Sequence, residues 1–357
     1  MHLFYVENDH RTKTIHDLLD RLGAIPSNML TALITSGRRA RLSILIYHRV
    51  LEKPDSLTGD QCDKKFFEVQ IRTLSRYFNV LPMSEAIQRL KEKNLPSKAA
   101  CITFDDGYAD NAKNALPILQ KYGVPATFFI AAGFIDNGAM WNDKVIEFVR
   151  HATGCRLDLE VVGLGRYEIG SPEQRRHTLL SLINRIKYLP LHERHALIKQ
   201  LYQLMPIALP TNIMMTTDQL RQLHRAGMEI GGHTLNHPIL ARIEYEAACD
   251  EIVNGKTKLE NIIQAPVRFF AYPNGKPGQD YRSEHVTLLR KIGFEAAFVT
   301  TPGAANYKSD IYQLPRFTPW DTDRTRFILR MTRNMFRTTE TLSVSDTGSS
   351  VNSCNLL

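Results

Sequence analysis

Short apolar runs that alternate with amphipathic segments limit the folds open to this sequence more than any other feature. Six runs of six to eight residues are rich in apolar side chains: 42–48, 99–104, 125–132, 228–233, 268–273 and 295–300. Such runs are typical of strands buried on both faces of a parallel sheet. Segments with helical apolar spacing separate them, as at 64–78, 108–123 and 245–263. The alternation predicts an α/β fold with helices outside a parallel sheet or barrel.

Three parts of the 357-residue chain fall outside that alternation. Residues 1–40 are expected to form an N-terminal helical extension, because apolar residues recur there at helical spacing. Residues 141–215 are helix-rich and strongly charged, and we interpret them as an insertion that covers or flanks a site. Residues 336–357 are polar and Ser-rich and are expected to be a disordered tail. The main domain is therefore expected to span residues 41–335.

Charge, cysteine content and hydropathy limit which partners and which cellular compartment we expect for this protein. The net charge of +8 weakly favours an acidic or phosphate-bearing partner or a membrane surface. Arg38, Arg39 and Arg41 form the tightest basic cluster, but no aromatic side chains lie between them, so nucleic-acid binding is not expected. No apolar run approaches the ~18 residues of a membrane-spanning helix, and the first residues lack a secretory pattern. Five irregularly spaced cysteines do not predict a disulfide framework. We therefore expect a cytoplasmic protein, compatible with peripheral contact at the inner membrane surface, and predict no oligomeric state.

Polar side chains follow several of the predicted strands at the point where each strand ends. His48, the pair Asp105 and Asp106, His233, and the segment 272–275 (YPNG) all occupy such positions. Because the carboxyl ends of parallel strands meet at one edge, residues far apart in sequence are expected to lie together there.

The segment HTLNH places His233 and His237 four residues apart. Two imidazoles and one aspartate supply three protein ligands and leave a position open, which is the pattern of a catalytic zinc site. A cation would offset one of the two adjacent carboxylates, and Arg268 is our candidate for offsetting the other. Each pattern alone is common in structural turns, but their combination at the ends of buried strands predicts a metal site.

Three segments resemble the first three motifs of the polysaccharide deacetylases, the NodB-homology group of carbohydrate esterases. They are TFDDGYADN at 103–111, HTLNHP at 233–238 and RFFAYPNG at 268–275. LIYHRV at 45–50 resembles the N-terminal element of a permuted subgroup that includes poly-N-acetylglucosamine deacetylases. The resemblance implies a distorted (β/α) barrel, with the segment 141–215 as a helical insertion, and one divalent metal ion. That ion is usually Zn²⁺, with Co²⁺, Ni²⁺ or Fe²⁺ as alternatives.

The resemblance also implies roles for individual residues. Asp106, His233 and His237 would be the metal ligands. Asp105 would be the general base, Arg268 would hold Asp105, and the backbone N–H of Tyr272 would help to bind the oxyanion. The family commonly takes its general acid from a late histidine, but no histidine follows residue 300, so His48 takes that role here. Trp141 and Trp320 are both candidates for a pocket wall, and core packing is an equal alternative for each.

The function that this resemblance implies is removal of N-acetyl groups from amino sugars of a polysaccharide or glycan precursor. Relatives that cleave O-acetyl esters of sugars or other C–N bonds use similar motifs, so those reactions remain alternatives. A metal-bearing or glycan-binding protein without turnover is a further alternative. A glycosidase using Asp105 and Asp106 as its acid pair is disfavoured, because adjacent residues of a strand point to opposite faces.

Overall fold

A computed structural model describes residues 40–59, 62–136, 138–337, 339 and 341–343. The predicted N-terminal extension lies outside this range except for its last residue. Within the described residues no helix is long and apolar enough to cross a membrane.

A parallel sheet forms the centre of the molecule, as predicted. Its strands are β1 (Leu42–Tyr47), β2 (Asn79–Val80), β3 (Ala99–Phe104), β4 (Thr127–Ile130), β7 (Glu229–Gly232), β8 (Phe269–Ala271) and β9 (Ala296–Phe298). They pair in the order β1-β3-β4-β7-β8-β9, with β2 beside β3. The residues of β1, β3, β4, β8 and β9 are buried throughout, which matches the continuous apolar runs in the sequence.

An extended segment after β9 links the two edge strands of the curled sheet. The backbone N–H of Leu314 donates to the carbonyl of Ala297 at 2.9 Å. Three residues later the N–H of Phe317 donates to the carbonyl of Ile44 in β1 at 3.0 Å. Residues 314–317 therefore connect β9 to β1, and the architecture is a distorted (β/α) barrel with fewer than eight strands.

Helices cover the outside of the sheet at the predicted places. They are α1 (Lys64–Tyr77), α2 (Met83–Glu92), α3 (Leu116–Tyr122), α7 (Thr217–Arg225), α8 (Tyr245–Ile263) and α9 (Ser283–Ile292). A π-helical turn, Asn111–Ala115, precedes α3, and an unpredicted helix, α10 (Arg324–Asn334), follows the barrel. The apolar faces of these helices other than α2 pack on the sheet in one large cluster. The apolar face of α2 packs with residues of β1, β3, β8 and β9 in a second cluster.

The C-terminal end of α3 depends on a local residue, whereas the N-terminal end of α2 depends on a tertiary contact. Gly123 ends α3 in the left-handed conformation with φ 62°, which glycine adopts without strain. Ser84 does not cap α2, because Pro82 occupies the N-cap position and makes no side-chain cap hydrogen bond. Instead the carboxylate of Glu229, on β7, accepts from the backbone N–H groups of Met83 at 2.7 Å and Ser84 at 3.0 Å. A residue distant in sequence thus supplies the cap.

The insertion is a small layer with its own apolar cluster. It contains α4 (Trp141–His151), the antiparallel hairpin β5 (Arg156–Leu159) and β6 (Gly165–Glu168), α5 (Pro172–Lys187) and α6 (Leu191–Leu204). Its helices were predicted, but the hairpin was not.

The predicted disordered tail is only partly described. Leu342 exchanges hydrogen bonds with the side chain of Gln313, at 2.9 Å and 3.0 Å, and the expectation of disorder for the tail stays a prediction. Residues 344–357 lie outside the described part. Among the described residues, Cys62, Cys101 and Cys155 are free.

Candidate metal centre and active site

The loop that follows β7 brings two histidines together. Thr234 and His237 both adopt positive φ, 65° and 53°, so the chain turns sharply between His233 and His237. The hydroxyl of Thr234 accepts from the backbone N–H of His237 at 3.0 Å and closes the turn. Gly255 of α8 lets the loop lie against that helix, since a Cβ there would meet the carbonyl carbon of Thr234 at 2.7 Å.

A carboxylate from α8 fixes the middle of the same loop. Glu251 accepts from the backbone N–H groups of Leu235 at 3.0 Å and Asn236 at 2.7 Å. On the other side, the N–H of Gly133 donates to the carbonyl of Leu235 at 2.7 Å. The loop therefore has no need of its own secondary structure, because its neighbours satisfy its backbone groups.

Asp106, His233 and His237 converge on one buried point. Nε2 of His237 lies 3.3 Å from Oδ1 of Asp106 and 3.1 Å from Nε2 of His233. Nε2 of His233 lies 3.5 Å from the same carboxylate oxygen. Nδ1 of His233 lies 2.7 Å from the carbonyl of Ala271, and donation there leaves the Nε2 lone pair directed at the cluster. The structure thus brings together the three residues expected as ligands.

The chemistry of this donor set fits a divalent cation. Burial lowers the pKa of His237 to about 3, so its ring is neutral at pH 7, as a ligand must be. Burial alone would raise the pKa of Asp106, but His233 and His237 outweigh it and hold that pKa well below its usual range. A buried carboxylate facing two neutral imidazoles provides the oxygen and nitrogen ligands of an open zinc-type site.

Both adjacent carboxylates face this cluster, contrary to the expectation that they point to opposite sides. The strand ends at Phe104, and Asp106 adopts φ 77°, which reverses the direction of its side chain. Asp105 Oδ2 consequently lies 4.0 Å from His233 Nε2, on the same side as Asp106.

Arg316, on the segment that closes the barrel, compensates Asp105. Its Nη1 and Nη2 donate to the two carboxylate oxygens at 2.6 Å and 2.8 Å. The same guanidinium donates to the hydroxyl of Thr103 at 3.1 Å and the carbonyl of Val299 at 3.3 Å, and the side chain is 0% exposed. Burial raises the pKa of Asp105, but Arg316 outweighs it and lowers that pKa below its ordinary value. Asp105 is therefore ionised at neutral pH.

The prediction that Arg268 holds Asp105 is wrong. Arg268 precedes β8, at the opposite end of that strand from the cluster, and its side chain is 45% exposed. It pairs with Glu295, whose carboxylate oxygens accept at 2.5 Å and 2.7 Å. An arginine in an exposed ion pair at the far end of the strand cannot orient a carboxylate at the cluster.

Sequence reasoning missed Arg316 because two prolines lie close to it. Pro315 comes directly before Arg316 and Pro319 follows three residues later, so the segment does not have the pattern of a central strand. An arginine between the apolar residues Leu314 and Phe317 was the available signal.

His48 lies near both carboxylates, after β1. Residues of the TFDDGYADN segment hold its turn: Asp110 accepts from Val50 N–H at 3.0 Å and from Arg49 Nε at 2.8 Å. Asn111 Nδ2 donates to the carbonyl of His48 at 2.9 Å. Burial lowers the pKa of His48 to about 4, although Asp106 and Asp105 act in the opposite direction.

The backbone N–H of Tyr272 does not face the site. It donates to the carbonyl of Phe298 at 3.1 Å, in the pairing of β8 with β9, so the predicted oxyanion role is wrong for this group. Asn274, just after Pro273, lines the cleft beside Asp106 and His237 with φ 60°. Within the described residues its backbone N–H donates to no other group, so it is a better candidate for the oxyanion donor.

The insertion forms one wall of the cleft above the cluster. Asp106, His237 and Asn274 line the barrel side, and Met140, Trp141, Asn142, Leu180, Ile183, Asn184, Lys187 and Arg194 line the other. The expected covering role of the insertion is consistent with this arrangement. Trp141 is in the wall, whereas Trp320 is exposed and lies under the guanidinium of Arg330 at 5.3 Å.

Comparison with known proteins agrees with this architecture. A family model described as polysaccharide deacetylase matches residues 92–160 and 197–297. The gap between the two matched stretches falls inside the insertion. The protein YxkH of Bacillus subtilis (strain 168), which is named as a polysaccharide deacetylase, is 24% identical over 288 residues. That match covers 80% of this chain and 74% of YxkH.

Two solved structures share the fold. The deacetylase PplD of Streptococcus pyogenes, in complex with acetate, gives a TM-score of 0.56 at 17% identity and covers 82% of this chain and 98% of its own. IcaB from Ammonifex degensii gives a TM-score of 0.52 at 19% identity, with coverage of 82% and 97%. The matched family model, the relative that spans most of the chain and the shared barrel agree. The chain therefore belongs to the polysaccharide deacetylase family and is a hydrolase of the deacetylase type.

Proposed function

We propose that this protein is a metal-dependent hydrolase that removes N-acetyl groups from amino sugars of a polysaccharide or glycan precursor, with Zn²⁺ as its metal. The observation that carries the proposal is the buried pair of Asp105 and Arg316 beside the three-ligand cluster. Asp105 Oδ2 lies 4.0 Å from His233 Nε2, close enough to serve a reaction at that centre. A carboxylate that is ionised at neutral pH is in the protonation state that a general base requires.

A bound divalent cation would supply Lewis-acid chemistry at Asp106, His233 and His237, polarising the acetyl carbonyl and making water more acidic. Asp105 would accept a proton as water adds to the carbonyl carbon. Arg316 holds both oxygens of Asp105, and so fixes the direction of that acceptance. The N–H of Asn274 would stabilise the developing oxyanion. The C–N bond then breaks, the nitrogen gains a proton, and acetate and a free amine are released.

His48 is our proposed proton donor to the departing nitrogen. Because its pKa is lowered to about 4, the ring is neutral at pH 7 and must gain a proton during turnover before it can give one. The two carboxylates nearby favour that protonated form, which makes a transient imidazolium feasible.

N-acetylglucosamine polymers are the first substrates to consider. A poly-β-1,6-N-acetyl-D-glucosamine N-deacetylase of Staphylococcus aureus (strain N315) is 37% identical over 70 residues. That match spans only 19% of this chain and 24% of the Staphylococcus protein, so its substrate is a suggestion for this chain. O-acetylated sugars are the alternative substrates, since they need the same carbonyl chemistry.

The experiment is acetate release from N-acetylglucosamine oligomers and, in parallel, from O-acetylated xylan. Purified protein is assayed with Zn²⁺, Co²⁺ or Ni²⁺, with a chelator, and as Asp105→Asn. We expect metal-dependent release from the N-acetylated oligomers that is lost in the variant. Release from the O-acetylated substrate alone would replace the proposal with an esterase, and release that survives chelation would refute the metal dependence.

A further inference from the structure

Arg194, on α6 of the insertion, is a buried cation that contacts no acidic group in the part of the chain that the structure describes. The residue is 4% exposed, and its Nε is buried without a hydrogen-bond partner. Among the described residues, no carboxylate pairs with its guanidinium. Its one aromatic contact is the ring of Trp141, whose centroid lies 5.0 Å from the guanidinium carbon.

Such an arrangement is unfavourable in the protein alone. A guanidinium has several N–H donors in a fixed fork and keeps its charge at neutral pH. Burial lowers the pKa of Arg194 to about 10, and no carboxylate acts against this effect. Contact with the Trp141 ring offsets part of the charge but satisfies none of the N–H groups. A buried charge without an internal ion-pair partner is costly. Nε is the guanidinium nitrogen that is fully buried without a partner, so the Nη groups remain available to a group bound in the cleft.

The position of Arg194 shows where that partner would lie. Arg194 lines the cleft that also contains Asp106, His237 and Asn274, and its charge contributes to lowering the pKa of His237. Asp106 does not compensate it, because no ion pair joins the two side chains. A group bound at Arg194 would therefore lie beside a sugar whose acetyl group is at the metal centre.

The residues around Arg194 reinforce its charge. Asn184 and Lys187 of α5 line the same cleft. Burial lowers the pKa of Lys187, and the Asp280 carboxylate acts against this. Among the described residues, no acid acts on Arg194 in the same way. A smaller adjoining cleft is lined by Lys187, Arg194 and Arg242. Asn184, Lys187 and Arg194 fall between the stretches that the family model matches, so family membership does not account for them.

We propose that Arg194, with Asn184 and Lys187, forms a subsite for an anionic group, a carboxylate or a phosphate, carried by the substrate next to the N-acetylated sugar. The inference rests on the proposed function, since it names the class of glycan that the deacetylase takes. A planar guanidinium fork binds either anion through two parallel hydrogen bonds. The preferred substrate is then an N-acetylated glycan that also contains uronic acid or a sugar phosphate, with neutral N-acetylglucosamine oligomers as poorer substrates.

The test compares three substrates with the zinc-loaded protein. Chitotetraose is neutral, a hyaluronan tetrasaccharide carries carboxylates, and N-acetylglucosamine 1-phosphate carries a phosphate. We expect a higher kcat/KM for at least one anionic substrate than for chitotetraose, and the one preferred identifies the anion. Arg194→Gln should lower the ratio of anionic to neutral kcat/KM by about 10- to 100-fold, the usual effect of losing hydrogen bonds to a charged group. The control Arg166→Gln removes an exposed charge from the same insertion and should leave the ratio unchanged.

A wild-type protein without preference for either anion would overturn the proposal, as would equal losses on all three substrates in Arg194→Gln. If that variant does not fold, Arg194→Lys keeps the charge but loses the fork, and an intermediate ratio is expected. Calorimetric binding of inorganic phosphate and of glucuronate separates this proposal from the proposed function. Binding that Arg194→Gln abolishes, without acetate release from any substrate, would support the subsite and refute the deacetylase. Acetate release with no difference in anion binding between the two proteins would refute the subsite alone.

Discussion

Arg316 and Arg194 are two buried arginines on opposite sides of the molecule's central site, and their surroundings differ completely. Arg316, on the barrel, donates to both oxygens of Asp105, to a hydroxyl and to a carbonyl. Arg194, on the insertion, has a buried Nε that bonds to none of the described residues, and the ring of Trp141 lies beside its guanidinium. The barrel side satisfies its own charges within the fold, whereas the insertion side leaves one unsatisfied.

The difference indicates two distinct roles, positioning of a catalytic group and recognition of the substrate. A charge that is paired inside the protein positions a reacting group, since its geometry is set before any substrate arrives. A charge that has no internal partner and lies in a cleft contributes to substrate recognition, since a bound group of opposite charge can form the missing hydrogen bonds. Catalysis is therefore expected to depend on the barrel and substrate choice on the insertion.

The largest effect is expected on the barrel side, from Asp105→Asn. Loss of the proton acceptor should lower kcat for acetate release by about 10²- to 10⁴-fold, because general-base catalysis contributes that much. Metal content should stay at the wild-type level, since Asp105 is held by Arg316 and not by the ligand cluster. Asp158→Asn, at an exposed position of the insertion, is the control. Near-normal turnover in Asp105→Asn would move the base to another residue.

The second largest effect distinguishes a buried arginine from an exposed one. Arg316→Gln leaves Asp105 buried without its partner, and should lower the free energy of unfolding by about 3–5 kcal/mol. Arg268→Gln breaks only the exposed pair with Glu295 and should cost less than about 1 kcal/mol. Urea unfolding of both variants measures the two values. Similar losses in the two proteins would contradict the assignment of Arg316 as the partner of Asp105.

A pH experiment extends the comparison of buried basic groups to His285, which, unlike an arginine, can be buried in its neutral form. His285 is 1% exposed, accepts from Arg282 N–H at 2.9 Å, and burial lowers its pKa to about 4. As the pH falls from the unfolded value of about 6.5, the unfolded chain binds a proton that the folded chain refuses, so stability decreases until about pH 4. His285→Gln lacks this loss. Between pH 7 and pH 4 the variant should gain on the order of 2–3 kcal/mol relative to wild type.

Urea unfolding at several pH values measures that difference in the metal-free proteins. Because His48 and His237 are present in both chains, their own titration cancels in the comparison. A constant difference across the range would mean that His285 titrates normally in the folded protein.

The smallest effect on stability is expected from Arg194→Gln. No internal partner is lost, so the free energy of unfolding should change by less than about 1 kcal/mol or rise. Thermal or urea unfolding of this variant beside Arg316→Gln is the direct contrast between the two arginines. A loss as large as that of Arg316→Gln would show that Arg194 is a structural residue, and would weaken the division between the two sides.

The sequence alone predicted the strands and the cluster of polar residues at their carboxyl ends. Continuous apolar runs predicted the buried strands, and polar residues just beyond those runs predicted that His48, Asp106 and His233 would share an edge. These features are local, since each depends on a few neighbouring residues. The structure brings the expected ligands together, but their binding of a metal stays a prediction.

The partners of those residues were not predictable in the same way. Arg316 meets Asp105 across 211 positions of sequence, through a segment whose prolines conceal its extended form. Tyr272 was misassigned because pairing between β8 and β9 uses its N–H, and register between strands is not visible in one sequence. The cap of α2 by Glu229 and the docking of Arg194 over the cleft are likewise tertiary contacts.

The most direct test of the central claim is the metal content of the protein after equilibration with Zn²⁺ and removal of free metal. Elemental analysis of wild type should find about one metal ion per chain, as an open three-ligand site binds one. His233→Ala and Asp106→Asn should lose that ion and all acetate release, whereas Arg268→Gln should keep both. A wild-type chain without metal, or a His233→Ala chain that keeps it in full, would contradict the assignment of Asp106, His233 and His237 as the metal centre.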